Sequence, residues 1–353
     1  MKDIFPNHVF SGVFPTPHCQ GITLDRKNRC LYFSFTTMLV KTDLDGRLLG
    51  SVTGLTGHLG CIAFRESDGR VYGSLEYKND AIGRAVREHL GLSGENTSAF
   101  YAAVFDADRI DRPGLDAEKD GVMRAACLSE VIRDYFGEGE GGKPHRYGCS
   151  GIDGMTFGPA FGKREGKEYL KVAYGIYRDD GRNDNDHQVI LSYDPEEILD
   201  TACPLSQDRM HTSGPGQPVG KFFLDTGNTE WGVQNLEYDP FTGNWFLAVY
   251  PGFKKEYPNC PLYIIDGSTA PHAATLRGLP EKGMLLSLME GPIKGPRGIS
   301  GFPFPYGSTG LYAFGDGRFY ISHEGRSGAG EYTDLYLYRY SENAAVPPFE
   351  RIE

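Results

Sequence analysis

Acid–base chemistry at neutral pH needs a proton donor and an acceptor within reach of one another, and carboxylates and histidines are the side chains most easily tuned to it. In this 353-residue chain the ones to follow recur at equivalent places of a repeated pattern. His18 and His58 each stand two residues before the start of similar short apolar segments, at Gln20 and Gly60. Asp153, Gln234 and Thr309 open three further copies of that segment. Glu76 and Glu324 stand near the ends of the strands that follow two of the copies. Glu76, Asp153 and Glu324 are therefore the candidate acids and bases, with His18 and His58 as proton shuttles. Plainer roles stand beside these. A histidine also bonds loop carbonyls, Asp153 in Gly151-Ile152-Asp153-Gly154 also suits a turn, and Glu76 or Glu324 also suits a surface pair with Arg178 or Arg326.

The segments that must position these groups read as β-strands. The alternating pair Ile22/Leu24 recurs as Ile62/Phe64, Met155/Phe157 and Leu236/Tyr238, with a fifth copy at Leu311-Tyr312-Ala313-Phe314. Period-two alternation bounded by turn residues is the signature of a half-buried strand. Each copy precedes a second aromatic or β-branched strand: Leu31 to Ser34, Val71 to Leu75, Tyr169 to Tyr177, Trp245 to Tyr250 and Phe319 to His323. Third strands follow at Val40 to Asp43, Phe105-Asp106, Ile190 to Asp194, Tyr263 to Asp266 and Leu335 to Tyr338. Fourth strands are expected at Leu48 to Val52, Gly121 to Ala126, Lys221 to Asp225 and Met284 to Met289.

Five four-stranded units in series predict an all-β chain folded as a five-bladed β-propeller, in which stacked blades bury the faces that one small sheet leaves open. Residues 1–353 then form one domain. Six blades are the alternative, because Cys61 and Gly154 lie 93 residues apart where Gly21 and Cys61 lie 40 apart. The excess is expected as insertions in the second blade, at about 78–98 and 107–147. Asp80 can cap a helix carrying Ile82, Val86 and Leu90 on one face, and Ser129 can open another that Gly137 stops. Gly21, Gly154 and Gly310 recur where inner strands crowd the axis. His8 to Phe14 is expected to supply the outer strand that the last unit lacks.

Antiparallel blades bring the start of each inner strand and the end of each second strand to one face. That face gathers Gln20, Tyr77, Tyr177, Arg178, Trp231, Gln234, Asn235, Arg297 and His323 as candidate ligand-binding residues around the acids, bases and histidines. Tyr77, Tyr177 and Trp231 are suited to stack on a sugar ring, and Arg178 or Arg297 to hold an anionic group. The helix after Glu76 emerges at this face as a candidate lid.

Composition narrows the partners. A formal net charge of −11 disfavours nucleic-acid phosphates. No run is long enough to cross a membrane. The seven cysteines contain no CxxC pair. Met1 to Pro6 carries no apolar run, so cytoplasmic residence is expected, with export as the alternative if a leader precedes this sequence. The sequence has no GxSxG elbow, no phosphate-binding Walker loop and no HExxH. Arg178 to His187 has the composition of a calcium loop but lacks its closing glutamate, and reads as a long solvated hairpin tip. Asn96-Thr97-Ser98 fits a glycosylation sequon.

Gln20-Gly21-Ile22 with Leu31-Tyr32-Phe33-Ser34 resembles blades of the NHL-type, gluconolactonase-type and plant glutaminyl-cyclase-type propellers. The cyclase resemblance implies an acidic residue after Tyr32, where Phe33 stands. The gluconolactonase resemblance implies a divalent cation, Ca or Mg, held by Glu, Asn and Asp, types that Glu76, Asn235 and Asp153 supply. No other cofactor is implied. The expected function is binding of a small polar ligand, a carbohydrate or sugar acid, at the channel mouth, with hydrolase or lyase chemistry. The alternative is a non-catalytic scaffold for a protein partner, which predicts exposed apolar patches and no organised pocket.

Overall fold

Strands dominate because short runs of Val, Ile, Phe and Tyr alternate with tight turns throughout. The computed structural model describes residues 5–95, 97–341 and 348–353; Asn96 of the sequon lies outside them. The strands form five antiparallel blades around an axis. Blade one holds Cys19–Asp25, Cys30–Phe35, Met38–Asp43 and Leu48–Thr53. Blade two holds His58–Arg65, Arg70–Tyr77, Ala99–Asp106 and Met123–Cys127. Blade three holds Cys149–Gly158, Tyr169–Ile176, His187–Tyr193 and Gly220–Asp225. Blade four has three strands, Thr229–Asp239, Asn244–Pro251 and Leu262–Ile265. Blade five has Leu311–Ala313, Arg318–Ser327 and Gly330–Tyr340. Each inner strand touches the next, and the inner strand of blade five touches that of blade one, which closes the ring. The six-bladed alternative is thereby set aside.

Burial explains the closure. Five apolar clusters each join two neighbouring blades. Tyr72 of blade two packs with Met155 and Tyr174 of blade three. Phe246 of blade four packs with Phe319 and Ile321 of blade five. A fully buried side chain of this kind contributes roughly 1.5–3 kcal/mol, so the inter-blade seams carry most of the fold's stability. Gly21 marks how close the inner strands run: a Cβ there would lie 2.9 Å from both the Cys61 Cα and the Ile62 amide nitrogen.

Both chain ends complete blade five. His8–Phe10 pairs with Asp334 to Tyr336, and Phe349–Arg351 pairs with Tyr338 to Tyr340. The expected N-terminal closure is present, and the C-terminal strand extends it.

The insertions in blade two contain α1, Ala81–His89, and α2, Ser129–Tyr135. Asp80 caps α1 by accepting from the Gly83 amide at 2.9 Å. A third helix, α3 (Pro195–Thr201), follows blade three's third strand and has no counterpart in the sequence reading.

Two expectations fail. Met284 to Met289 is not the fourth strand of blade four: Lys282–Leu285 pairs parallel with Gly220–Asp225 of blade three, and only Leu288 bridges Ile265. The sequence there alternates weakly, and its edge partner is set by the hairpin with His272–Thr275. Nor is Arg178 to His187 a solvated tip throughout, because Asp184, Asn185 and Asp186 are fully buried. Arg182 pairs with Asp184 at 2.5 Å, and Lys254 pairs with Asp186 at 2.6 Å. These cations take the carboxylates, so the loop is a buried clamp rather than a calcium loop.

Candidate functional site

The inner strands of blades one to four each lose regular register near one end of the axis. Such bulges re-aim side chains. Here they turn Ser150 and Asp153, three residues apart on one strand, toward the same cavity. The cavity measures about 110 Å³, several times the 10–15 Å³ that one water needs. His18, Gln20, His58, Glu76, Asp153, Trp231 and Gln234 line it, together with Lys78, Ile82, Ser150 and Tyr250.

Glu76 is the anchored carboxylate. Its Oε2 accepts from the Ile152 amide at 3.0 Å, and its Oε1 lies 2.6 Å from the Lys78 ammonium. Gly151 makes room for it: a Cβ there would stand 1.9 Å from Oε2, and the residue's φ of +129° favours glycine. Lys78 also reaches Asp80 at 3.4 Å, and Asp80 accepts from the Tyr177 hydroxyl at 2.7 Å. Despite full burial, its carboxylate neighbours hold Lys78 above the usual lysine value.

Asp153 is held differently. Its Oδ2 receives one long bond from Gln234 Nε2 at 3.3 Å, while its Oδ1 is buried without a hydrogen-bond partner. Burial first, and then the Glu76 charge, push its carboxyl well above the usual range. Burial also lifts Glu76, against the pull of Lys78 and the Ile152 amide. Two carboxyls in one desolvated site favour one shared proton, and Glu76, held by the Lys78 ammonium and the Ile152 amide, leaves that proton on Asp153.

His58 completes the group. Its Nδ1 lies 3.6 Å from Glu76 Oε1 and 3.8 Å from Asp153 Oδ1, is buried, and makes no hydrogen bond. Burial, then the Lys78 charge, pull it down to about 3, so it is an uncharged acceptor at neutral pH. Gln20 Nε2 donates to His18 Nε2 and to Thr36 Oγ1, both at 3.1 Å. Trp231 lines the cavity from a backbone φ of +64°, a strained conformation for a residue with a Cβ.

The other candidates lie elsewhere. Tyr77 alternates away from Glu76 and packs edge-on to Tyr101 in the seam between blades one and two. Tyr177 stands behind the wall, bonded to Asp80. Arg178 stacks on Phe253, with its guanidinium 3.6 Å from the ring centre. Arg297 is bidentate to Asp225 at 2.9 and 3.0 Å, on the outer side of blade three. His323 stacks on Tyr306 and bonds the Tyr338 hydroxyl at 2.9 Å. Glu324, the register mate of Glu76, is exposed and does not line the cavity.

The donors do not suit the cation that the gluconolactonase resemblance implied. Asn235 is fully buried below the cavity and gives its amide hydrogens to the carbonyls of Gln20 and Ser308 at 2.8 and 2.9 Å. Lys78 already supplies the positive charge beside Glu76. Among the described residues, no group of three or more His, Cys, Asp or Glu is arranged to hold a metal ion.

Lys78 was missed in the sequence, although it stands two residues after Glu76, just past the strand that ends at Tyr77. Ser150 carried no such signal, because its orientation depends on the bulge.

No protein-family model matches the chain, and no curated protein matches it. Three solved structures share its general form. One is the PQQ domain of pyranose dehydrogenase from Coprinopsis cinerea, 12% identical over 90% of this chain and 81% of that one, with a TM-score of 0.40. Another is the β-propeller domain of Cps50 (Swd1) from Myceliophteria thermophila, 10% identical over 92% and 84%, with a TM-score of 0.34. A third is a GH43_1 enzyme from Xanthomonas citri, 9% identical over 97% and 98%, with a TM-score of 0.43. These likenesses are too distant to bear on function.

Proposed function

We propose that this propeller binds a small polar ligand, of the carbohydrate or sugar-acid class, at the mouth of its central channel and acts on it by acid–base catalysis. One observation carries the reading. Asp153 Oδ1 and His58 Nδ1 are both buried, both without a partner, 3.8 Å apart, and both on the wall of one cavity. An unsatisfied buried polar atom costs about 1–3 kcal/mol, and two facing one another are satisfied together by a hydroxyl placed between them. Protonated Asp153 is the proton donor and neutral His58 the acceptor. Glu76 and Lys78 fix the field that keeps them so. Hydrolysis and elimination both need such a donor and acceptor. Trp231, on the cavity wall, is the residue suited to stack on a sugar ring. An organised polar cavity is the feature that a scaffold would lack.

The test is a thermal-shift screen of sugars, sugar acids and lactones, run on the native protein and on His58→Ala. A ligand that binds the folded state alone raises the melting temperature by mass action. The expected result is a shift with a member of this class that vanishes in folded His58→Ala. A shift that survives the substitution places the ligand elsewhere and removes the cavity from the reading.

A further inference from the structure

Resting on that proposal, we infer that the cavity selects an uncharged polyhydroxylated ligand and rejects the corresponding sugar acid. The argument is one of charge and donor count. Among the described residues Lys78 is the one lysine or arginine on the wall, and it is already shared between Glu76 at 2.6 Å and Asp80 at 3.4 Å. One ammonium against two carboxylates leaves the site with excess negative charge before a ligand enters. His58 adds no positive charge, since its ring is desolvated beside Lys78. The His18 ring is engaged at Nε2 by the Gln20 amide at 3.1 Å. The cations suited to clamp a ligand carboxylate are committed elsewhere, Arg178 on Phe253 and Arg297 on Asp225.

A ligand carboxylate can only accept hydrogen bonds. In this cavity it would give up its hydration to sit near Glu76 and Asp80 without a free cation, and a buried like-charge contact costs several kcal/mol. A hydroxyl both donates and accepts. It satisfies Asp153 Oδ1 and His58 Nδ1 whichever of them holds the proton, and it brings no charge.

The experiment measures binding by calorimetry for matched pairs at neutral pH: glucose with glucuronate, galactose with galacturonate, and xylose with xylonate. Native protein and Glu76→Gln are compared. In the native protein, at least one uncharged member is expected to bind about tenfold or more tighter than its acid. Glu76→Gln removes one negative charge and frees Lys78, so the preference is expected to narrow or reverse. A native protein that holds the acid as tightly as the sugar overturns the inference and leaves the carbohydrate reading standing. Failure of both members of every pair to bind overturns the inference together with that reading. If Glu76→Gln does not fold, the native comparison alone decides.

Discussion

At the scale of single residues, the chain places ionisable groups in the interior in two contrasting ways. Lys78 is buried among carboxylates and keeps its charge. Lys171, fully buried in blade three, has no anionic partner among the described residues; its ammonium bonds Ser192 Oγ at 2.7 Å and stands 4.6 and 5.0 Å from the ring centres of Phe161 and Tyr169. Burial pulls Lys171 down to about 7. The aromatic rings oppose this, each returning about 0.5–2 kcal/mol to the charged form. The unfolded chain keeps its lysine protons until about pH 10.4. Between about 7 and 10, therefore, the unfolded state binds a proton that the folded state does not, and stability rises with pH. Lys171→Met fills similar volume without a charge to desolvate. It is expected to stabilise the fold by about 1–2 kcal/mol at pH 7 and to flatten that rise, read from urea denaturation at several pH values. A variant with the native slope refutes the assignment. The same scale shows what sequence can convey about the site. Glu76, Asp153, Gln20, Gln234 and the two histidines were legible because repeat register fixes where a strand's end residues go. Arg178, Arg297 and His323 were misplaced because a loop or a rim aromatic overrides register once the strand ends.

At the scale of elements, α1 is the piece whose attachment bears most directly on the cavity. Gly83 and Val86 are its only buried residues, and Ile82 lines the cavity wall. Its hold on the blade passes through Asp80, which caps the helix, pairs with Lys78 and accepts from Tyr177. A helix of nine residues with so thin a buried face opens more readily than the strands beneath it. Asp80→Ala removes the cap, worth about 1 kcal/mol, and leaves Lys78 to Glu76 alone. Amide exchange in α1 is expected to speed up about tenfold, while Arg70–Tyr77 stays protected and ligand affinity falls. Unchanged exchange in α1 would show that Asp80 does not hold it. Sequence showed this helix and its cap, since both are local signals. It missed α3 and misassigned the outer strand of blade four, because an edge strand takes whichever partner the chain brings past.

At the scale of the whole molecule, a propeller has to be closed, and this one is closed by both chain ends on a single strand. Gly330–Tyr340 carries His8–Phe10 along one part of its outer edge and Phe349–Arg351 along the next. The N-terminal segment contributes more than three backbone pairs. Phe5, Val9 and Phe14 are buried in the seam between blades five and one, together with Ile22, Leu31, Tyr320 and Leu335. Three such side chains amount to roughly 5–9 kcal/mol at 1.5–3 kcal/mol each, comparable to the 5–15 kcal/mol net stability of an ordinary domain. The C-terminal strand is the lesser clasp, since of its residues Phe349 alone is buried. Deleting residues through Phe14 is therefore expected to abolish the cooperative thermal transition, whereas deleting residues after Tyr340 should lower the melting temperature and leave a folded ring. Circular dichroism melts of the two truncations decide between this and a ring that closes without a clasp. If the N-terminal deletion melts like the full chain, the seam between blades five and one is held by the inner strands alone. The cavity, whose His18 and Gln20 come from blade one, would then not depend on closure.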